Sequence, residues 1–237
     1  MSLACEPLMR RWARVARRVL PRFLFNILRS VGTALGTPLI FSLSSGHFRS
    51  SFARRAVDRH GHPIPWYTYP AIDYLSRKDF RNTRVLEWGA GQSTLWWAGR
   101  ARAVVAVESD QSWYEALRPQ LPSNAVVHLT GPDLSALRDK INGPFDLIIV
   151  DGLDRLRCAE LSLDLLSEGG AILLDNSEGT WSGDGSYPII ELFKRCNFSR
   201  VDFYGYSPGV SSKQCTSLFF RTGCFLFSDA KPPVIPD

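Results

Sequence analysis

Four acidic residues stand where an apolar run of the sequence gives way to glycines or a polar loop. Glu87 precedes the turn in Glu87-Trp-Gly-Ala-Gly-Gln-Ser-Thr94, and Glu108 closes the run Ala103–Glu108. Asp151 follows Phe145–Val150, and Asp175 follows Gly170–Leu174 with Asn176 beside it. Carboxylates in such places can hold a ligand's positive charge or accept hydrogen bonds from paired hydroxyls. An Asp and an Asp-Asn pair also offer the hard oxygen donors that suit a divalent cation. Gly89 and Gly91 permit a tight turn and close approach of a ligand to the backbone. Ser93 and Thr94 open a helical pattern, where free N–H groups favour an anionic group.

The elements that must position these residues are legible as a rhythm. From residue 83 the chain alternates apolar runs with helical patterns. Strands are predicted over Arg84–Trp88, Ala103–Glu108, Ala125–Leu129, Phe145–Val150 and Gly170–Leu174. Helices are predicted to about Arg100, through Trp113 and Leu117, after Asp133, over Leu156–Leu166 and over Ile189–Arg195. Such alternation predicts an α/β fold, a doubly wound and mostly parallel sheet covered on both faces. Val201–Tyr206 and Thr216–Arg221 are separated by too short a loop for a crossover helix, so they should form an antiparallel C-terminal pair in a seven-stranded sheet. In such a sheet ligands bind beyond the carboxyl ends of the strands, at the point where strand order reverses. Glu87, Glu108 and Asp151 all fall at those ends.

A dinucleotide fingerprint wants a third small residue where this chain has Thr94, and a carboxylate at Glu87 would repel a pyrophosphate. Glu87 suits a ligand with a positive charge or an ammonium group. Glu108, 17 residues beyond Gly91, is placed to accept hydrogen bonds from ribose hydroxyls. Over residues 63–222 this combination resembles the class I S-adenosylmethionine-dependent methyltransferases. The resemblance implies that Glu87, Gly89 and Gly91 hold the methionine moiety of S-adenosylmethionine (SAM), with Ser93 and Thr94 near its carboxylate. It implies Glu108 as the ribose acid, Asp133 as an adenine-side acid, and Asp151 as the acid beside the reacting methyl group.

Asp151, Asp175 and Asn176 also reproduce, in order, the Mg²⁺ ligands of metal-dependent relatives such as catechol O-methyltransferase. Those relatives carry a Lys three residues after the first Asp, where this chain has Asp154. The missing base counts against Mg²⁺, which stays as an alternative cofactor beside SAM. Trp66, Tyr67 and Tyr69 either line an acceptor pocket or pack on the sheet edge. Trp88, Trp96 and Trp97 are expected in packing roles, and Trp113 could cover an adenine.

The chain has 237 residues and a net charge of +5, unevenly distributed. Residues 1–60 hold eleven Arg and two acids, a net +9, and the remainder carries −4. Residues 1–62 therefore read as a basic helical extension and connector, and 63–237 as the α/β domain. From Leu8 to Leu20, apolar residues recur at helical spacing among arginines. That pattern suits an anionic membrane surface; an organellar presequence and a helix packed on the domain are the other readings. The longest uncharged apolar run, Val31 to Leu43, has 13 residues and contains Pro38, so no membrane span is expected. Five scattered cysteines without a CxxC pair suggest reduced thiols and a cytoplasmic setting. A nucleic-acid partner is not expected, because the basic charge is confined to the extension.

The functional expectation is methyl transfer from SAM to a small-molecule, glycan or lipid-linked acceptor. The alternatives are a non-catalytic nucleotide- or membrane-binding module of the same fold, and a nicotinamide-dependent oxidoreductase.

Overall fold

The computed structural model describes residue 17 and residues 19–131, 134–137, 140–152, 154–179 and 186–227. Asp133, and the Leu8–Leu20 segment apart from positions 17, 19 and 20, lie outside these residues. Two compact units divide between Ser45 and Gly46.

In the first unit, α1 (Arg22–Val31), a π-helical stretch (Gly32–Gly36) and α2 (Thr37–Ser44) run on without a break. This 23-residue helix is long and apolar enough to cross a membrane. Two features hide it in the sequence. Arg29 interrupts the uncharged run, and Pro38 suggests a break. In the structure Pro38 directly follows the π-helical stretch, and the helix continues through it.

The second unit opens with α3 (His47–Ala53) and α4 (Tyr69–Ser76). Residues 46–62 belong to it and are tied locally: Ser50 Oγ donates to the Val57 carbonyl at 2.8 Å and accepts from the Val57 N–H at 3.0 Å. The sheet comprises β1 (Arg84–Trp88), β2 (Ala103–Glu108), β3 (Ala125–Leu129), β4 (Phe145–Val150), β5 (Leu166–Leu174), β6 (Ser199–Tyr206) and β7 (Lys213–Phe220). Their order is β3-β2-β1-β4-β5-β7-β6; β1 to β5 run parallel and β7 antiparallel to both neighbours. Intervening helices are α5 (Gln92–Ala98), α6 (Gln111–Leu117), α7 (Arg155–Leu165) and α8 (Tyr187–Arg195).

The period of two along each strand divides the core between two faces. Val85, Leu147, Ile149 and Leu173 pack in one layer with Trp96 and Trp97. Leu86, Ile148, Ile172 and Leu174 pack in the other with Phe193 and Phe219. Central strands buried on both sides are why the sequence reads there as near-continuous apolar runs.

The structure departs from the sequence reading after Asp133 and at the start of β5, which begins at Leu166 instead of Gly170, and it adds the order of the last two strands. After Asp133 the described residues show only a 3₁₀ turn, Leu134–Leu137, instead of a helix. The last strand, β7, takes the inner place beside β5 and leaves β6 at the edge. Burial explains the choice, since Cys215–Phe219 is buried throughout whereas β6 is exposed at most positions.

Strand order reverses between β1 and β4, and there the two strand ends touch. Gly89 has φ 103°, and a Cβ on it would lie 2.9 Å from the Gly152 backbone. Asp151 N–H donates to the Trp88 carbonyl at 3.0 Å, and Gly89 N–H donates to the Val107 carbonyl at 2.8 Å. Gly89→Ala combines a disfavoured φ with a backbone clash and should lower stability by about 1–3 kcal/mol. Urea unfolding of the two proteins checks this, and an unchanged midpoint would contradict it.

Candidate active site

A cavity of about 710 Å³ opens at the carboxyl ends of β1, β2 and β4, within the usual size of a small-molecule site. Its wall includes Gly89 to Ser93, Glu108, Trp113, Asp151 and Arg155, with Trp66 at one side. Of the residues singled out in the sequence, Gly89, Gly91, Ser93, Glu108 and Asp151 thus share one cavity.

Glu87 and Thr94 lie behind the wall, both fully buried. Thr94 Oγ1 accepts from the Gly91 N–H at 2.9 Å and donates to Glu87 Oε2 at 2.5 Å. One carboxylate oxygen thereby sets the turn that precedes α5. The other, Oε1, is buried with no hydrogen-bond partner among the described residues. Burial pushes the Glu87 carboxyl up to about 7, with the Ser93 and Thr94 hydroxyls opposing the rise and nearby Glu108 adding to it. A buried carboxylate with an orphaned oxygen is set up to gain from a cationic ligand group.

Glu108 is already engaged. Its Oε2 accepts from Ala90 N–H at 3.0 Å, and its Oε1 accepts from Ser109 and Asp110 N–H at 2.7 and 2.8 Å. A carboxylate has about four acceptor positions, so roughly one remains for a ligand hydroxyl. Its first task is to tie the β1 and β2 loops together. Beside it, Trp113 Nε1 donates to the Ala90 carbonyl at 2.6 Å, which fixes the indole over the loop.

The two glycines of the turn have different duties. Gly89 is required by the fold, as argued above. Gly91 has an extended backbone, φ −177°. A Cβ there would find its nearest neighbours at 3.8 Å, on Ser93 and Trp113. Gly91 therefore leaves room at the cavity wall without being demanded by backbone conformation.

On the opposite wall Arg155 was not singled out by the sequence reading. Its Nη2 lies 3.3 Å from Asp151 Oδ1 and 3.5 Å from Asn176 Oδ1, and its Nη1 donates to the Asp175 carbonyl at 2.9 Å. Nε donates to the Gly152 carbonyl at 3.3 Å. The base missing at position 154 is thus supplied one residue later. Asp154 takes a left-handed conformation, φ 50°, as α7 begins. Asp175 is buried, and Thr216 Oγ1 donates to its Oδ1 at 2.6 Å. Burial raises the Asp175 carboxyl to about 6, against the Thr216 hydrogen bond and the Arg155 charge. Burial and the charge of Asp175 raise Asp151, while Arg155 counters them.

This donor set does not fit Mg²⁺. The guanidinium fills the place between Asp151, Asn176 and the Asp175 carbonyl, and its positive charge would repel a cation. Among the described residues no group of three or more His, Cys, Asp or Glu is arranged to hold a metal.

The aromatic stretch divides as well. Trp66 borders the cavity, with Nε1 donating to the Pro208 carbonyl at 3.0 Å. Tyr67 is a core residue instead: it is fully buried, and its hydroxyl accepts from Trp97 Nε1 at 3.1 Å. Tyr69 packs against the same core layer.

Comparison with known proteins bears on the fold. Residues 86–177 match the family described as a methyltransferase domain. No curated protein matched the sequence. An O-methyltransferase from Bacillus cereus, solved in complex with SAH, superposes with a TM-score of 0.55 at 17% identity over 77% of this chain and 100% of its own. The O-methyltransferase TomG from Streptomyces achromogenes, involved in tomaymycin synthesis and solved with SAM, gives 0.53 at 16% identity over 76% and 88%. A precorrin-6y C5,15-methyltransferase from Geobacter metallireducens gives 0.54 at 10% identity over 73% and 96%. At these identities the likeness establishes the fold, and the domain match covers its first five strands in part or whole. Residues 86–177 thus match a methyltransferase domain, and the chain shares the fold of these solved methyltransferases.

Proposed function

We propose that this protein moves a methyl group from SAM to an oxygen of a small-molecule, glycan or lipid-linked acceptor that enters the cavity between Trp66 and Asp151. The observation that carries the reading is the convergence of the Gly89–Ser93 loop, Glu108 and Asp151 on one cavity at the strand-order reversal. When bound, SAM supplies a methyl group on a positively charged sulfur. Glu87 would favour the cationic part of the ligand through its orphaned Oε1, and Glu108 a ribose hydroxyl through its spare acceptor position. Trp113 would border the ring system. Asp151, which lines the cavity with its carboxyl held above the usual range by burial and Asp175, is the candidate acceptor of the hydroxyl proton, and Arg155 holds it in place. Radiolabelled-methyl transfer from SAM, screened over acceptor classes, tests the reading. The absence of both SAM binding and transfer would favour the non-catalytic module.

Glu87 gives the cofactor step a pH signature. In the free protein its carboxyl titrates at about 7, far above its usual 4.5. A cationic ligand favours the ionised form, so binding should tighten as pH rises from about 6 to 8, with protons released. Calorimetry in buffers of different ionisation enthalpy reads that release, and Glu87→Gln should abolish it. In the free protein the sign is opposite: the folded state holds a proton that the unfolded state has lost, so stability falls as pH rises from about 4.5 to 7 and stays lowered above that.

Gly91→Val should fold normally yet weaken SAM binding about thirtyfold or more, about 2 kcal/mol, because the added methyls enter the cavity. Equal affinity in a folded variant would remove the loop from the site. EDTA should leave both SAM affinity and methyl transfer unchanged. Mn²⁺ should show no bound fraction by electron paramagnetic resonance.

A further inference from the structure

The helix Arg22–Ser44 has an unusual exterior. None of its apolar window is buried. Ten large apolar side chains on it are exposed, among them Phe23, Leu28, Leu35, Leu39 and Ile40. Isolated apolar residues on a protein surface are ordinary, but a run of this size calls for a covering.

Three observations select the covering. The first is length: 23 residues of helix span about 34 Å, against a bilayer hydrocarbon thickness of about 30 Å. The second is the handling of polar atoms. Thr33 Oγ1 donates to the Arg29 carbonyl at 2.8 Å, and Ser45 Oγ donates to the Phe41 carbonyl at 2.7 Å. These hydroxyls are satisfied within their own helix, as hydrocarbon surroundings require. The third is charge. Arg10, Arg11, Arg14, Arg17, Arg18 and Arg22 precede the apolar stretch, and no acid occurs between Glu6 and Asp58. Arg29, two turns in, is near enough to the end to carry its guanidinium back to the headgroups along its aliphatic stem.

We propose that Arg22–Ser44 inserts into a phospholipid bilayer, with the preceding arginines on anionic headgroups, and so anchors the enzyme in a membrane. The anchoring is independent of which acceptor the active site takes.

The test uses the full chain, reconstituted with vesicles of phosphatidylcholine and phosphatidylglycerol and floated on a density gradient. The protein should stay with the vesicles after 1 M NaCl and after carbonate at pH 11, since apolar burial is insensitive to both. The triple substitution Leu35→Glu, Leu39→Glu, Ile40→Glu should cut the floated fraction about tenfold or more. The thermal transition of the α/β domain should not move in that variant. Arg29→Leu should hold at least as firmly as wild type. Release by salt alone would overturn the proposal and leave only headgroup attraction. So would a full-length chain that stays monodisperse without detergent or lipid, as a monomer or as a dimer whose helices cover each other. Removal of the helix by processing in cells, seen by mass spectrometry of the recovered protein, would overturn it too.

Discussion

The site depends on the contact between two strand ends that carry no side chain. Gly89 and Gly152 meet at the reversal of strand order, closer than a Cβ allows. The backbone of β4 then reaches β1 directly, and Asp151 N–H caps the Trp88 carbonyl. From that point the chain leaves in opposite directions, toward α5 and toward α7. The crevice between them is the cavity. The register of β1 against β4 is set by the buried ladder from Val85 to Trp88.

Around that contact the protein gathers four carboxylates, and each is stabilised differently. Glu108 is held by three backbone N–H groups, Asp175 by Thr216, Asp151 by Arg155, and Glu87 only in part by Thr94. The least satisfied of them has one oxygen orphaned in the interior, a cost that a ligand cation would offset. Arg155 resolves a different problem. It bridges the ends of β4 and β5 through Gly152, Asp151, Asp175 and Asn176. A cation attached to the chain holds those acidic groups together at fixed geometry and leaves no vacancy for a divalent ion.

Strands β1 to β4 were legible to the residue because parallel strands covered on both faces are nearly uninterrupted apolar runs. Their carboxyl ends were legible because acids and glycines punctuate them. What escaped the sequence has local causes. The left-handed turn at Asp154 makes position 155 reach back to the strand ends, so a fixed offset from Asp151 pointed one residue short. Gly89 and Gly91 look alike in sequence, yet only the backbone angles show that one serves the fold and the other leaves space. Tyr67 and Trp66 are adjacent, but one is fixed in the core by Trp97 and the other borders the cavity. The inner position of β7 follows from burial on both faces, which a strand's length and spacing do not encode. Arg29 and Pro38 concealed a continuous helix, because a charge breaks the apolar run and a proline signals an end, while a π-helical stretch just before Pro38 lets the helix run on.

Charge is divided along the chain in a way that bears on the acceptor. The N-terminal 60 residues carry +9, and the rest, which holds the acidic crevice, carries −4. An anionic surface would attract the first and weakly repel the second, so any attachment through charge belongs to the extension. Apolar burial by Arg22–Ser44 would add a component that salt does not screen. An acceptor dissolved in water gains nothing from such an anchor. An acceptor carried on a lipid gains effective concentration, because enzyme and substrate then diffuse within one surface instead of a volume. A lipid-linked acceptor is thus the class for which insertion of Arg22–Ser44 would raise the frequency of encounter with the cavity.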